Sequence, residues 1–260
     1  MDQPLKPREN SEPSVKSAKR VIDILEFVAQ AQRPVNFTDI VKTLEIPKTS
    51  VHALLKTLVN MKYLVLDKEH GYRLGLRVFE LGAAVDRTRI LVDAAHSVLH
   101  KGASETHCTC NLGILDGQDV YYIDKVQHSN ALIQIGTRIG GRLPAYATGL
   151  GKVLLGGLDP QRIQDYLKSV ELKKLGPGTI TDLDTLRKNI LDAKSVGFAI
   201  DDEESHANVI CVAAAVRDAA GAVVAAISVT GLKSQMYSDG NYPYVPLVME
   251  MANLITRKLR

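Results

Sequence analysis

No apolar run in this sequence approaches the ~20 consecutive residues that a membrane-spanning helix requires, so no transmembrane segment is expected. The N-terminal stretch from Met1 to Pro13 lacks the apolar centre of a signal peptide. It is polar, Pro-rich and mixed in charge, and is expected to be a disordered tail. Cysteine occurs only three times in 260 residues, an odd number that makes no disulfide framework. Together these absences point to a cytoplasmic protein. Acidic residues are also scarce in one place. From Lys48 to Arg77 there are six basic residues against two acidic ones, and the whole net charge of +3 falls before residue 86, the remainder being balanced. Such a distribution is expected where the N-terminal third meets nucleic acid and the rest does not.

What is present there is a run of helical periodicity. In Ile46-Pro-Lys-Thr-Ser-Val-His-Ala-Leu-Leu-Lys-Thr-Leu58 the residues Val51, Leu54, Leu55 and Leu58 make one apolar stripe, with Pro47 suited to the first turn. The other face carries Lys48, Thr49, Ser50, His52, Lys56 and Thr57 and no acid. A helix entering the DNA major groove needs this pairing: a stripe to anchor it, and donors near its N-terminus for phosphates and base edges. An ordinary amphipathic surface helix also has a polar face, so the neighbouring segments decide the reading. Upstream, Val21, Ile22, Leu25 and Val28 predict a helix over residues 14–31, and Asn36 three residues before Asp39 predicts a capping box opening a second, from Phe37 to Leu44. Downstream, Tyr63–Leu66 and Tyr72–Leu74 read as two strands joined by a turn ending at Gly71. The order is that of a winged helix-turn-helix, with Lys68, His70 and Arg73 on the wing. Lys48, Thr49, Ser50, His52, Lys56 and Arg73 are the DNA-binding candidates.

Leu76 to Gly102 is helical in pattern, interrupted at Gly82 and at Asp86–Arg89. Beyond it, strands are expected at 110–115, 119–126, 131–135, 209–217 and 222–230, with hairpin turns at Asp116-Gly117 and Asp218–Gly221. Helices are expected at 149–158, 183–196 and 236–259. This is an α+β layer domain with a mostly antiparallel sheet. The expected organisation is a disordered tail over 1–13, a winged helix-turn-helix DNA-binding domain over 14–77, a helical linker region over 78–102, and the α+β domain over 103–260.

Several separated motifs carry a resemblance covering nearly all of the chain after the tail. Ser17-Ala-Lys-Arg-Val-Ile-Asp-Ile-Leu25, Ile46-Pro-Lys-Thr-Ser-Val-His52 and Gly71-Tyr-Arg-Leu-Gly75 resemble the IclR family of bacterial transcription regulators. The resemblance implies that 103–260 is a GAF-like effector-binding domain, that the helix region over 78–102 contributes to dimerisation, and that a homodimer or homotetramer binds palindromic double-stranded operator DNA. It also implies an effector pocket bordered by Gly149, Leu150, Asp201, Cys211, Ser228 and Thr230. Many relatives have arginine after the Val-His pair, where this chain has Ala53, which removes one contact to phosphate or guanine. Tyr146 stands where many relatives have His, and is reminiscent of members that sense aromatic acids. Small residues, hydroxyls and helix-start amides suit a small carboxylate.

Other motifs are weaker. Gly149-Leu-Gly-Lys152 is followed by Val153 where a P-loop needs Ser or Thr, so nucleotide hydrolysis is not expected. His107-Cys-Thr-Cys110 admits a metal or redox sensor, although its i, i+2 spacing is unusual for zinc and two small thiols also pack well in a core. Asp201-Asp-Glu-Glu204 with His206 admits a metal cluster or acid/base pair, or simply a solvated loop before a strand. No Ser–His–Asp arrangement is visible, so neither catalytic residues nor a cofactor are expected. The competing reading is a metabolite-binding α+β protein whose N-terminal helices dock a protein partner.

Overall fold

The structure, a computed structural model, describes residues 15–31, 33–67, 71–83, 86–129 and 138–260, with side chains left out at 83, 86 and 87. The tail over 1–13, the wing residues Lys68 and His70, the expected strand at 131–135 and the first part of the Gly-rich segment 136–142 lie outside the described residues. The chain divides into two compact units, Met1–Asp86 and Arg87–Arg260.

In the first unit, α1 (Lys16–Gln30), α2 (Phe37–Leu44) and α3 (Lys48–Asn60) precede a hairpin of β1 (Leu64–Asp67) and β2 (Gly71–Leu74), then α4 (Leu76–Ala83). Ile24, Val28, Ile40, Val51, Leu55, Leu58 and Leu64 form its core. Burying a side chain of this kind contributes about 1.5–3 kcal/mol. The stripe of α1 is turned relative to the expected one: Ile24 is buried and Ile22 is 54% exposed, because α1 also packs against α2 and β2. The capping box is not formed. Asn36 makes no side-chain cap bond, and its backbone carbonyl accepts from Asp39 and Ile40 instead. Glu45 takes a left-handed conformation (φ 52°) that ends α2, and Pro47 is the N-cap of α3 rather than a residue within it. Val35 bridges Tyr72 by two backbone hydrogen bonds, tying the α1–α2 connection to the hairpin. Gly71 is required there: at φ +104° its Cβ would lie 2.6 Å from the Val35 carbonyl oxygen.

The second unit opens with α5 (Asp86–Thr106) and is built on a six-stranded antiparallel sheet, ordered β5-β4-β3-β8-β7-β6. The strands are β3 (Thr109–Asp116), β4 (Asp119–Gln127), β5 (Arg142–Pro144), β6 (Phe198–Asp202), β7 (Val209–Arg217) and β8 (Val223–Leu232). One face packs against α5 and α10 (Val245–Lys258) through Leu99, Cys110, Leu112, Val212, Val229 and Met251. The other packs against α6 (Gly149–Gly156), α7 (Pro160–Ser169) and α8 (Leu183–Val196) through Leu150, Leu155, Ile190 and Ala213. Alternation along each strand, polar or small toward α6 and aliphatic toward α10, assigns the two layers.

Three expectations change. The segment 236–259 is not one helix. A short α9 (Lys233–Met236) ends at a turn containing Asp239 and Gly240, both at positive φ, before α10 begins. Helix α7 was not anticipated, although Asp159 caps it by accepting from Arg162 and Pro160 occupies its first turn. The acidic block is not a solvated loop: Asp201 and Asp202 are in β6, and Asp201 and Glu204 are buried.

Candidate DNA-binding surface and effector site

On α3, Val51, Leu55 and Leu58 are buried, while Lys48, Thr49, His52 and Lys56 are exposed and Ser50 is half-buried. Ala53 and Thr57 share the exposed side, and the Thr57 hydroxyl is turned back to donate to the Ala53 carbonyl. The proline side chain at the N-cap has no acceptor for the first-turn amides, and none of those amides has a side-chain cap. The positive end of the helix is thus open toward an anion, between Lys48 and Thr49. Arg73 of β2 is exposed but not idle: it holds Asp67 across the hairpin at 2.8 Å, so reaching a phosphate means exchanging that partner.

The second site lies on the α6 face of the sheet, where register brings distant sequence positions into line. Asp201 pairs with Cys211, Cys211 with Thr230, and Thr230 with Thr109, one row across four strands. Ala199, Ala213, Ser228 and Asn111 form the next row. The Asn111 amide donates to Ser228 (3.3 Å) and Thr230 (3.4 Å). Gly149, at the start of α6, comes so close to this floor that a Cβ there would lie 3.3 Å from the Ala199 and Cys211 carbonyls and from the Ala213 side chain. Thr148 caps α6 by accepting from Gly151, which leaves the Gly149 and Leu150 amides as the free start of the helix. Of the candidates, Gly149, Leu150, Asp201, Cys211, Ser228 and Thr230 therefore come together.

Tyr146 is placed differently. Its ring is buried in the α6-side core, and its hydroxyl both donates to the Lys173 carbonyl (2.8 Å) and accepts from the Lys173 amide (3.0 Å). It anchors the strap from 173 to 179, in which Thr179 donates to the Glu204 carbonyl at 2.6 Å.

Sequence reasoning did not single out Thr109, Asn111 or Lys152. The period-two alternation of His107-Cys-Thr-Cys-Asn111 was the available signal for Thr109 and Asn111. Lys152 left no signal, since a lysine in a helix is usually solvated. It is 1% exposed and its ammonium donates to Glu204 and to the Ile200 carbonyl. Each acid of the Asp201–Glu204 block has its own work. Asp201 accepts from the Glu204 amide (2.7 Å) and the Ser205 hydroxyl (2.8 Å), closing its own loop. Asp202 and Glu203 hold Lys233 at 2.9 and 2.6 Å, and Glu204 holds Lys152. They do not converge as metal ligands.

Burial dominates the electrostatics. It raises the Asp201 carboxyl against the opposing Ser205 hydroxyl and Lys152 charge. It pushes Glu204 up to about 7, with Lys152 pulling the other way. It pushes Cys211 up to about 11, assisted by the Asp201 charge. A thiol with that pKa stays protonated near neutrality and is no nucleophile. What this row offers chemically is hydrogen bonding, from the Ser228 and Thr230 hydroxyls and the Asn111 amide.

The His107–Cys110 segment is split. Cys108 and Cys110 are buried in the α10-side core, Cys108 with its sulfur 3.8 Å from that of Met236, whereas His107 is exposed and stacks edge-on to His128 at 4.5 Å. Among the described residues no group of three His, Cys, Asp or Glu side chains is placed to hold a metal ion. No helix among them is long and apolar enough to cross a membrane.

Two family models match the chain: the IclR helix-turn-helix domain over residues 17–68, and the bacterial transcriptional regulator IclR C-terminal domain over 82–257. The HTH-type transcriptional regulator XynR of Escherichia coli K12 is 33% identical over 86% of this chain and 89% of its own length. The HTH-type transcriptional repressor AllR of Klebsiella pneumoniae is 29% identical over 96% of this chain and 92% of its own. The structure of a putative transcriptional regulator, RHA06195, from Rhodococcus sp. RHA1 superposes with a TM-score of 0.80 at 29% identity, covering 95% of this chain and 98% of that one. An IclR homolog from Microbacterium hydrocarbonoxydans, complexed with 4-hydroxybenzoate, superposes at 0.84 with 24% identity, covering 94% and 99%, and shows the shared fold.

Proposed function

Since the chain belongs to the IclR family of bacterial transcriptional regulators, we propose that it reads a palindromic operator as a homodimer or homotetramer and that a small carboxylate in its C-terminal domain changes that binding. It is a DNA-binding regulator and not an enzyme. The observation that carries the operator reading is the acid-free outer face of α3, with its uncapped N-terminus between Lys48 and Thr49. Ser50, His52 and Lys56 complete the groove-side set, and Arg73 reaches the backbone from the wing.

The carboxylate reading rests on the free amides of Gly149 and Leu150 above the row Asp201, Cys211, Thr230 and beside Ser228. Backbone amides at a helix start hold an oxyanion, and the hydroxyls accept or donate to the remainder of the ligand. Asp201 is then a wall that rejects a second negative charge. The fold relative holding 4-hydroxybenzoate supports an aromatic acid as one member of the panel to be tested; here the Tyr146 hydroxyl is taken up by the Lys173 backbone, so Tyr146 bears on the ligand by holding the strap and not by touching it. For the ligand to switch the protein, it must bind the DNA-competent and incompetent arrangements unequally, and a coupling of ~1–3 kcal/mol suffices.

The test is binding of the full chain to its own upstream intergenic DNA as a function of salt, with and without the carboxylates. Steep salt dependence is expected, and Lys48→Ala and Lys56→Ala should each weaken binding to all sequences and lower the salt slope by about 1. At least one carboxylate should shift the affinity. Affinity that ignores salt and both substitutions would favour a protein-docking role for the N-terminal unit.

A further inference from the structure

The polar floor beneath α6 does not end at Thr230. Register carries both of its rows onto the far strands of the sheet. Thr109 of β3 faces Thr230, and Gln127 of β4 faces Thr109; in the next row Asn111 faces Ser228, and Lys125 faces Asn111. The alternating residues Cys110, Leu112 and Val126 pack into the opposite, α10-side core, which places Lys125 and Gln127 on the α6 face. This end of the floor has two properties of its own. Thr109 is 1% exposed, and its hydroxyl meets no hydrogen-bond partner among the described residues, a desolvation cost that a ligand group would relieve. Lys125 is half-buried, and burial holds its ammonium below the usual lysine range. A cation so placed gains by pairing with an anion. The acid of the floor, Asp201, stands at the other edge on β6 and is spent on its own loop.

We propose that the effector is a two-ended acid, with one carboxylate on the Gly149 and Leu150 amides and a second acidic group at the β4 end of the floor, held by Lys125 beside Thr109. The proposal rests on the carboxylate reading above and names the ligand class for that site. Asp201 bars a second negative charge from the β6 edge, and Lys125 admits it at the β4 edge. The geometry also sets a length. Gly149 lies over β6 and β7, and β7 is separated from β4 by β8 and β3, so the two ends of the site are about 14 Å apart. Less one hydrogen bond at each end and the lean of the lysine stem, the ligand spans roughly 5–8 Å between its acidic groups. A benzene ring or a short alkyl chain fills that span, and a two-carbon diacid does not.

The test is calorimetric titration of the full chain with matched pairs of acids, adipate against hexanoate and terephthalate against benzoate. In at least one pair the diacid should bind about tenfold tighter or more, the margin that a charge-assisted hydrogen bond supplies. Lys125→Met should bring that ratio close to one, and Lys125→Arg should keep most of it. Lys125→Glu should invert the preference, so that 4-(aminomethyl)benzoate binds tighter than terephthalate, which no merely structural role of the lysine yields. Thr109→Val removes the orphan hydroxyl at nearly constant shape; it should weaken the diacid more than the monoacid and leave the unliganded protein at least as stable in thermal unfolding. Equal affinities within both pairs, or a ratio that Lys125→Met and Lys125→Glu leave unchanged, overturns the proposal. Operator binding on the same samples separates the cases. Monoacids that bind and shift operator affinity while no diacid does so sink the second end alone and leave the carboxylate site standing. If none of the four acids binds, both readings fall.

Discussion

Replacing Lys152 by methionine keeps the volume of the side chain and removes its charge from a fully buried position. In the unchanged protein burial raises the Glu204 carboxyl to about 7 from its ordinary 4.5, and Lys152 opposes that rise. The folded chain therefore holds a proton that the unfolded chain has released, and this group's contribution to stability falls as pH rises from about 4.5 through about 7. In Lys152→Met both effects of the ammonium on Glu204, its charge and its hydrogen bond, are gone. The carboxyl then rises further and the window extends above 7. At pH 5 Glu204 is neutral in both proteins, and the deficit should be about 1–2 kcal/mol, from the lost bond to the Ile200 carbonyl. At pH 8 the variant must take up a proton against the solvent where the unchanged protein need not, which adds up to about 1.4 kcal/mol for the one pH unit above 7, and the deficit should grow to about 2–3 kcal/mol. For a unit of this size that is a fall in Tm of roughly 4–12 °C. Thermal unfolding at pH 5, 6, 7 and 8 reads it directly. Adding Glu204→Gln should recover most of the loss at pH 8 and flatten the profile, as a coupled pair requires. A deficit that is constant or shrinking from pH 5 to 8, or a double substitution no better than the single, would refute the assignment of Lys152 and Glu204 as a buried pair.

Two further outcomes follow from packing. The three cysteines are buried, and burial raises each thiol above its usual range, so a disulfide reagent at pH 8 should label none in the native protein and all three in denaturant. Rapid native labelling of Cys108 or Cys110 would revive a redox role for that segment. Gly151→Ala would put a methyl group onto the backbone of Ala145. It should destabilise the second unit by about 2 kcal/mol or more and abolish any ligand response, while the first unit keeps its nonspecific DNA affinity; unchanged Tm would show that α6 does not pack as described.

The parts of this protein written locally in the chain were legible from residues alone. The stripe Val51, Leu55, Leu58 and the basic face of α3 depend on 3.6-residue periodicity, the hairpin of β7 and β8 on a Gly-containing turn between β-branched runs, and α8 on its Asp182 cap and Gly197 stop. Each is decided by neighbours a few positions away. The family resemblance supplied Asp201, Cys211, Ser228 and Thr230 as a set, but not why they belong together. That reason is register. One line of pairing across β6, β7, β8 and β3 sets Asp201, Cys211, Thr230 and Thr109 side by side although they span more than 120 positions of chain. Tertiary structure also decided what no local pattern can encode. It gave Lys152 a buried partner 52 positions away, turned the four consecutive acids toward three different destinations, and drew the Tyr146 hydroxyl to Lys173. A charged or polar side chain carries no sequence mark of its partner. Its role is set by which groups are left with it once water is excluded, and only the packed chain determines that.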